Sequence, residues 1–97
     1  MPADRLRTAD VDRLAVAFAS LDDPEAAYAF LQDVCTVREI REMAQRLEVA
    51  RMLSAGEHYE RIRDVTGASS TTISRVSRAL NYGADGYKTV LDHLREA

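Results

Sequence analysis

The stretch YERIRDVTGASSTTISRVSRAL, residues Tyr59–Leu80, decides the fold. Tyr59, Ile62 and Val65 recur at helical spacing, and the series stops at Gly67. A second series, Ile73, Val76 and Leu80, follows Ser69 and Ser70, either of which can cap a new helix. Two short helices joined by a tight glycine turn, with apolar residues locking them at a fixed angle, make a helix-turn-helix. The second of them, Ser70–Asn81, is then the recognition helix. At ~100° per residue, Ile73, Val76 and Leu80 face inward, while Thr71, Ser74, Arg75 and Arg78 face out. Hydroxyls bond phosphates or base edges, and arginine grips guanine or phosphate. The free N–H groups at the helix start suit a phosphate. On spacing alone a second reading stays open: a helical hairpin in any α-bundle, with Ser69 and Ser70 as mere caps. Arg63, where such motifs usually carry a small residue, fits that second reading.

Helical punctuation recurs on both sides of this stretch. Thr8 precedes a helix with Val11, Leu14, Phe18 and Leu21 on one face, ending near Ser20–Asp22. Asp23-Pro24-Glu25 opens a second helix, with an N-cap, a proline at the first helical position and an acid at the positive dipole end. Its expected common face is Ala27, Tyr28, Leu31, Val34 and Cys35. Thr36-Val37-Arg38-Glu39 is a capping box that starts a long third helix, carried through Met43, Leu47, Ala50 and Leu53 to Gly56. Glu42 and Arg46 stand at i, i+4 and are expected to pair. Asp85 can cap a last helix with Tyr87, Val90, Leu91 and Leu94. Tyr82 and Tyr87 are expected to pack that helix. No segment alternates apolar and polar residues as a strand would. The chain reads as all-α, a single domain over residues 1–97. Residues 1–35 are dimerisation helices, 36–56 a long central helix, 58–82 the helix-turn-helix and 85–96 a C-terminal helix.

The dimer follows from apolar excess. Leu14–Ala19 and Ala26–Leu31 are apolar over most of their circumference, and such helices need burial on several sides. A chain of 97 residues has too little core to surround both. Two copies whose N-terminal helices enter each other's core would; the alternative is that the alanines are simply good helix formers at the surface.

Composition excludes several function classes. With 46% apolar and 30% charged residues, the chain is an ordinary globular one. A single cysteine, Cys35, closes no intrachain disulfide and suits a reducing, cytoplasmic setting. Leu14–Ala19 is too short to span a bilayer, and the alternating Arg and Asp before it differ from a signal peptide, so no membrane partner is expected. His58 and His93 lack metal-ligand spacing, and no nucleophile elbow, phosphate loop or zinc-protease motif occurs. The reading is therefore not an enzyme, with no metal and no cofactor. Net charge is −3, yet residues 59–81 carry four arginines against two acids, the only net-positive stretch. Since screening confines each charge to about a Debye length, that stretch can act as a local basic face. Scattered arginines on a solvated face are the other reading of the same numbers.

Residues Ala44–Tyr87, with the preceding CTVREIREMAQRLEVARML extending the likeness to Cys35, resemble the tryptophan-repressor family, and within it the YerC/YecD branch. The TGAS and TISR segments followed by LNYG carry the likeness most specifically. The resemblance implies a six-helix, intertwined homodimer that binds operator DNA, with Ser70, Thr71, Ser74 and Arg75 at the DNA face. It also implies a corepressor pocket in which Arg46 and Arg75 would sandwich an indole, lined by Thr36 and Thr72. Val76 stands where the tryptophan binders have glycine, and Ala79 where they have serine, so tryptophan is not the expected ligand and the effector stays open. The function expected is a sequence-specific regulator of transcription, of the repressor type, that reads double-stranded DNA. A protein-interaction module of the same fold without DNA readout is the alternative, supported by the acidic overall charge.

Overall fold

The computed structural model describes residues 4–96, so the outermost residues of the 1–97 range, 1–3 and 97, lie outside the described residues. Six α-helices follow one another: α1 (Ala9–Ala19), α2 (Pro24–Val34), α3 (Val37–Ser54), α4 (Tyr59–Thr66), α5 (Ser70–Tyr82) and α6 (Gly86–Glu96). There is no strand among the described residues. The chain divides between Val37 and Arg38 into two compact units.

In the first unit the helix starts are set by side chains. Thr8 Oγ1 accepts from the Val11 N–H, and Asp23 Oδ1 from the Ala26 N–H at 2.8 Å, so each satisfies an orphan donor of a first turn. Phe18 and Phe30 meet edge to face with centroids 5.2 Å apart. That contact is not a core: neither α1 nor α2 has a buried residue. Leu14, Val16, Phe18, Tyr28 and Val34 are all exposed. Of the face expected on α2, Tyr28 and Val34 are therefore uncovered within one chain, while Ala27, Leu31 and Cys35 are half-buried.

The second unit holds the core. Val49, Ala50 and Met52 of α3, Ile62 of α4, Ala68 of the turn, Ile73, Val76 and Leu80 of α5, and Leu91 of α6 form one buried cluster. Leu47, Leu53 and Tyr87 pack against its edge. Several residues of the apolar series lie outside this core. Tyr59 and Val65 are exposed, because the inward line of α4 runs through Ile62 and Thr66 instead. The half-buried Thr66 donates its hydroxyl to the Ile62 carbonyl and accepts from the Ala68 N–H, while its carbonyl accepts from Gln45 Nε2. On α6 Leu91 is buried, whereas Val90 and Leu94 are exposed. Glu42 pairs with Arg38 at 3.2 Å, not with Arg46.

Two further details fix the helix ends. Gly67 ends α4 with φ +73°, a left-handed conformation that glycine adopts without a Cβ penalty, and its N–H still bonds the Arg63 carbonyl. Asp85 begins α6 through its carbonyl, which accepts from both the N–H and the hydroxyl of Thr89, while its carboxylate lies 3.7 Å from Lys88 Nζ.

Truncating Ile62, which is fully buried, leaves a cavity under α5. Ile62→Ala should cost about 2–5 kcal/mol, the range for large-to-small changes in a packed core. Urea unfolding followed by circular dichroism checks this; a loss under about 1 kcal/mol would mean that the site collapses without needing the side chain.

Candidate nucleic-acid interface

The start of α5 sorts its hydroxyls into two groups. Ser69 is the N-cap: its Oγ accepts from the Thr72 N–H at 3.1 Å and donates to Thr72 Oγ1 at 3.1 Å. Those two hydroxyls are spent on the helix end. Ser70, Thr71 and Ser74, all exposed, have no hydrogen-bond partner for their side chains among the described residues. Two turns after Ser74, Asn81 Nδ2 donates to the Ser77 carbonyl, so it too is engaged locally.

Ser70, Thr71, Ser74, Arg75 and Arg78 come together. They line one shallow, open depression of about 340 Å³ along the outer face of α5. The opposite face of the helix is held down by Ile73, Val76 and Leu80, so the depression's position is set by the core. Both arginines are exposed, and neither has a carboxylate within ion-pair distance among the described residues. Arg7, Arg13, Arg38, Arg51, Arg61 and Lys88 are each paired with an acid. The tightest of these pairs holds the Glu48 carboxylate below its usual range through hydrogen bonds from Arg51. Arg75 and Arg78 thus keep their charge and all five guanidinium donors available.

A family model described as Trp repressor protein matches residues 9–95. The chain belongs to the Trp repressor family. It is 51% identical over 96 residues to the protein YerC of Bacillus subtilis strain 168, covering 99% of this chain and 92% of YerC. Among solved structures it matches a Staphylococcus aureus protein, proposed to be a Trp repressor, with a TM-score of 0.88 at 43% identity, over 98% of this chain and 95% of that one. A TrpR-like protein from Eubacterium eligens gives a TM-score of 0.87 at 49% identity, over 95% of each chain. The six-helix Trp repressor-like fold expected from the sequence is therefore the fold of this chain.

The other residues singled out in this Trp repressor family member have mixed placements. Thr36 belongs to the first unit and is exposed. In the second unit Arg46 is exposed and without an acidic partner among the described residues, which corrects the expected pairing with Glu42. Arg75 lines the α5 depression, whereas neither Arg46 nor the half-buried Thr72 does. Val76 is turned into the core at 2% exposure, and Ala79 is exposed. Cys35 is half-buried at the end of α2 and unbridged. No group of His, Cys, Asp and Glu among the described residues could hold a metal ion.

Tyr82 corrects the sequence reading most. It is the last residue of α5 and is 86% exposed, so it does not pack α6; Tyr87 alone does. A usable signal was present in the spacing. Thr71, Arg78 and Tyr82 stand at i, i+7 and i+11, within ~40° of each other on a helix.

The cap is testable independently of any ligand. Ser69→Ala should lower stability by about 0.5–2 kcal/mol, and Ser69→Asp should restore most of it. Equal urea midpoints for wild type and Ser69→Ala would remove Ser69 from the role of cap.

Proposed function

We propose that this protein is a sequence-specific regulator of transcription that binds double-stranded DNA in the major groove through α5 and acts as a repressor. The observation that carries the reading is the pair of exposed guanidiniums on Arg75 and Arg78, without acidic partners among the described residues, beside the unengaged hydroxyls of Ser70, Thr71 and Ser74. Unpaired arginine and short hydroxyls are what phosphate and guanine edges require. Membership of the Trp repressor family supports the same reading.

The working unit is a homodimer in the cytoplasm. Residues 1–35 supply dimerisation, since α1 and α2 expose Leu14, Val16, Phe18 and Tyr28 within one chain. Residues 36–56, 58–82 and 85–96 serve as central helix, DNA-reading unit and C-terminal brace. No tryptophan is needed. A β-branched side chain at 76 is stiff within a helix and is already committed to the core, so no flat slot remains where the tryptophan-binding relatives have glycine. Arg46, Thr72 and Arg75 of the second unit remain candidates for contact with some other effector. No helix among the described residues is long and apolar enough to cross a membrane.

The test is DNA affinity measured against salt, on a duplex selected from a random-sequence pool. Binding should weaken linearly in log–log form as counterions are released on contact with phosphate. Arg75→Ala and Arg78→Ala should each keep the helical circular dichroism. An arginine that reads a base should cost about 1–3 kcal/mol at one position of the site when it is removed; one that holds a phosphate should reduce the salt slope by about 1. L-tryptophan at millimolar concentration should shift the affinity by less than about 5-fold, the lower end of ordinary allosteric coupling. Salt-insensitive or absent binding, with both arginine variants unchanged, would favour the protein-interaction module.

A further inference from the structure

We infer that Tyr82 is a DNA-backbone contact, its phenol hydroxyl donating to a phosphate oxygen at the rim of the groove that the start of α5 enters. The inference rests on the DNA-binding reading above and extends it to a residue of another chemical type. Four observations carry it.

Tyr82 is the most exposed of the large apolar and aromatic side chains described, at 86%, and its hydroxyl has no partner among the described residues. Tyrosine normally buries its ring and leaves only the hydroxyl wet. Here the whole side chain projects from the end of a helix.

Its direction is that of the candidate interface. Successive turns place Thr71, Arg78 and Tyr82 in one ~40° sector of α5, opposite Ile73, Val76 and Leu80. Thr71 and Arg78 already line the depression.

Its height along the helix selects the backbone over the bases. At 1.5 Å per residue, Tyr82 stands ~16 Å from Thr71 along the axis. The major groove is ~8.5 Å deep and ~12 Å wide. A recognition helix inserts its N-terminal residues toward base edges. With Thr71 there, the C-terminal turn has left the groove floor and stands beside the sugar–phosphate wall. A neutral hydroxyl with a flat ring suits that wall, the hydroxyl on phosphate and the ring against deoxyribose.

The chain after Tyr82 is kept out of the way. A Cβ on residue 83 would stand 2.3 Å from the Ala79 carbonyl oxygen, closer than any real contact, so only glycine fits here. Gly83 still donates its N–H to that carbonyl at 2.9 Å, and the backbone then turns to the extended conformation. Tyr82 is therefore the final helical residue, with no side chain following directly beside it.

The experiment compares wild type, Tyr82→Phe, Tyr82→Ala and Arg78→Ala on one duplex, selected from a random-sequence pool by wild-type protein, over a range of salt. Removal of one hydroxyl should weaken binding about 2- to 12-fold for Tyr82→Phe, and further for Tyr82→Ala. The salt slope should stay at the wild-type value in both, because a neutral contact releases no counterion. Arg78→Ala should make the slope shallower by about 1 if it holds a phosphate, which separates the two kinds of contact. If Arg78→Ala weakens binding while both Tyr82 variants stay within 2-fold of wild type, the Tyr82 contact is wrong and the DNA reading stands. If wild type shows no salt-dependent binding, the DNA reading falls and this contact with it. If Tyr82→Ala lowers the molar mass by light scattering, the side chain belongs to an interface between copies, which also overturns the contact.

Discussion

Burial of Ile62 in the same core as Ile73, Val76 and Leu80 is the contact on which the rest of the second unit depends. It clamps α4 to α5 across the left-handed Gly67, and so sets the rotation of α5 about its own axis. Once that rotation is fixed, the remaining positions of α5 have no freedom. Ser70, Thr71, Ser74, Arg75 and Arg78 face outward because three apolar residues of the same helix face in. The chemistry offered to a ligand is thus a consequence of packing. A core residue and a guanidinium a few positions apart are parts of one device.

The charge distribution acts through local pairing rather than through its sum. The chain carries a net −3, which taken whole would repel a polyanion. Several of its cations are nevertheless neutralised by acids three to five residues away, as in Arg38 with Glu42 and Arg51 with Glu48. These are exposed pairs worth little to stability, but each removes a charge from the field seen by a partner. Arg75 and Arg78 have no such neighbour because α5 contains no acid at all. Screening over about a Debye length then lets a small basic patch persist on an acidic protein. In the first unit the matching question is apolar rather than electrostatic: α1 and α2 leave large side chains in water.

Much of this was legible in the sequence because the decisive signals are local. Thr8, Asp23 and Ser69 stand directly before apolar periodicity, and each caps the helix expected. The inward triad of α5 follows from spacing alone, since Ile73, Val76 and Leu80 admit one helical face. What escaped was decided by context beyond a turn. Glu42 has an arginine four residues away on either side, and the usual preference for an acid preceding its base points to Arg46; the structure takes Arg38. Val65 has the right type for the core, but α4 is eight residues long and aims Ile62 and Thr66 at it. Tyr82 sits between a helix and a glycine, and whether it turns in or out depends on where the helix stops. The helix runs through Tyr82 and ends at Gly83, so the outward direction that its spacing from Thr71 and Arg78 signals is the one taken.

In the proposed complex two copies of α5 present their outer faces to successive major grooves of one duplex. Methylation interference at guanine N7, on duplexes selected from a random pool, tests it most directly, because that atom lies in the major groove. Two clusters of interfering guanines are expected, related by a dyad and separated by about one helical turn, ~10 base pairs, or a multiple of it. A single cluster, or bound duplexes with no interfering guanine, would contradict it.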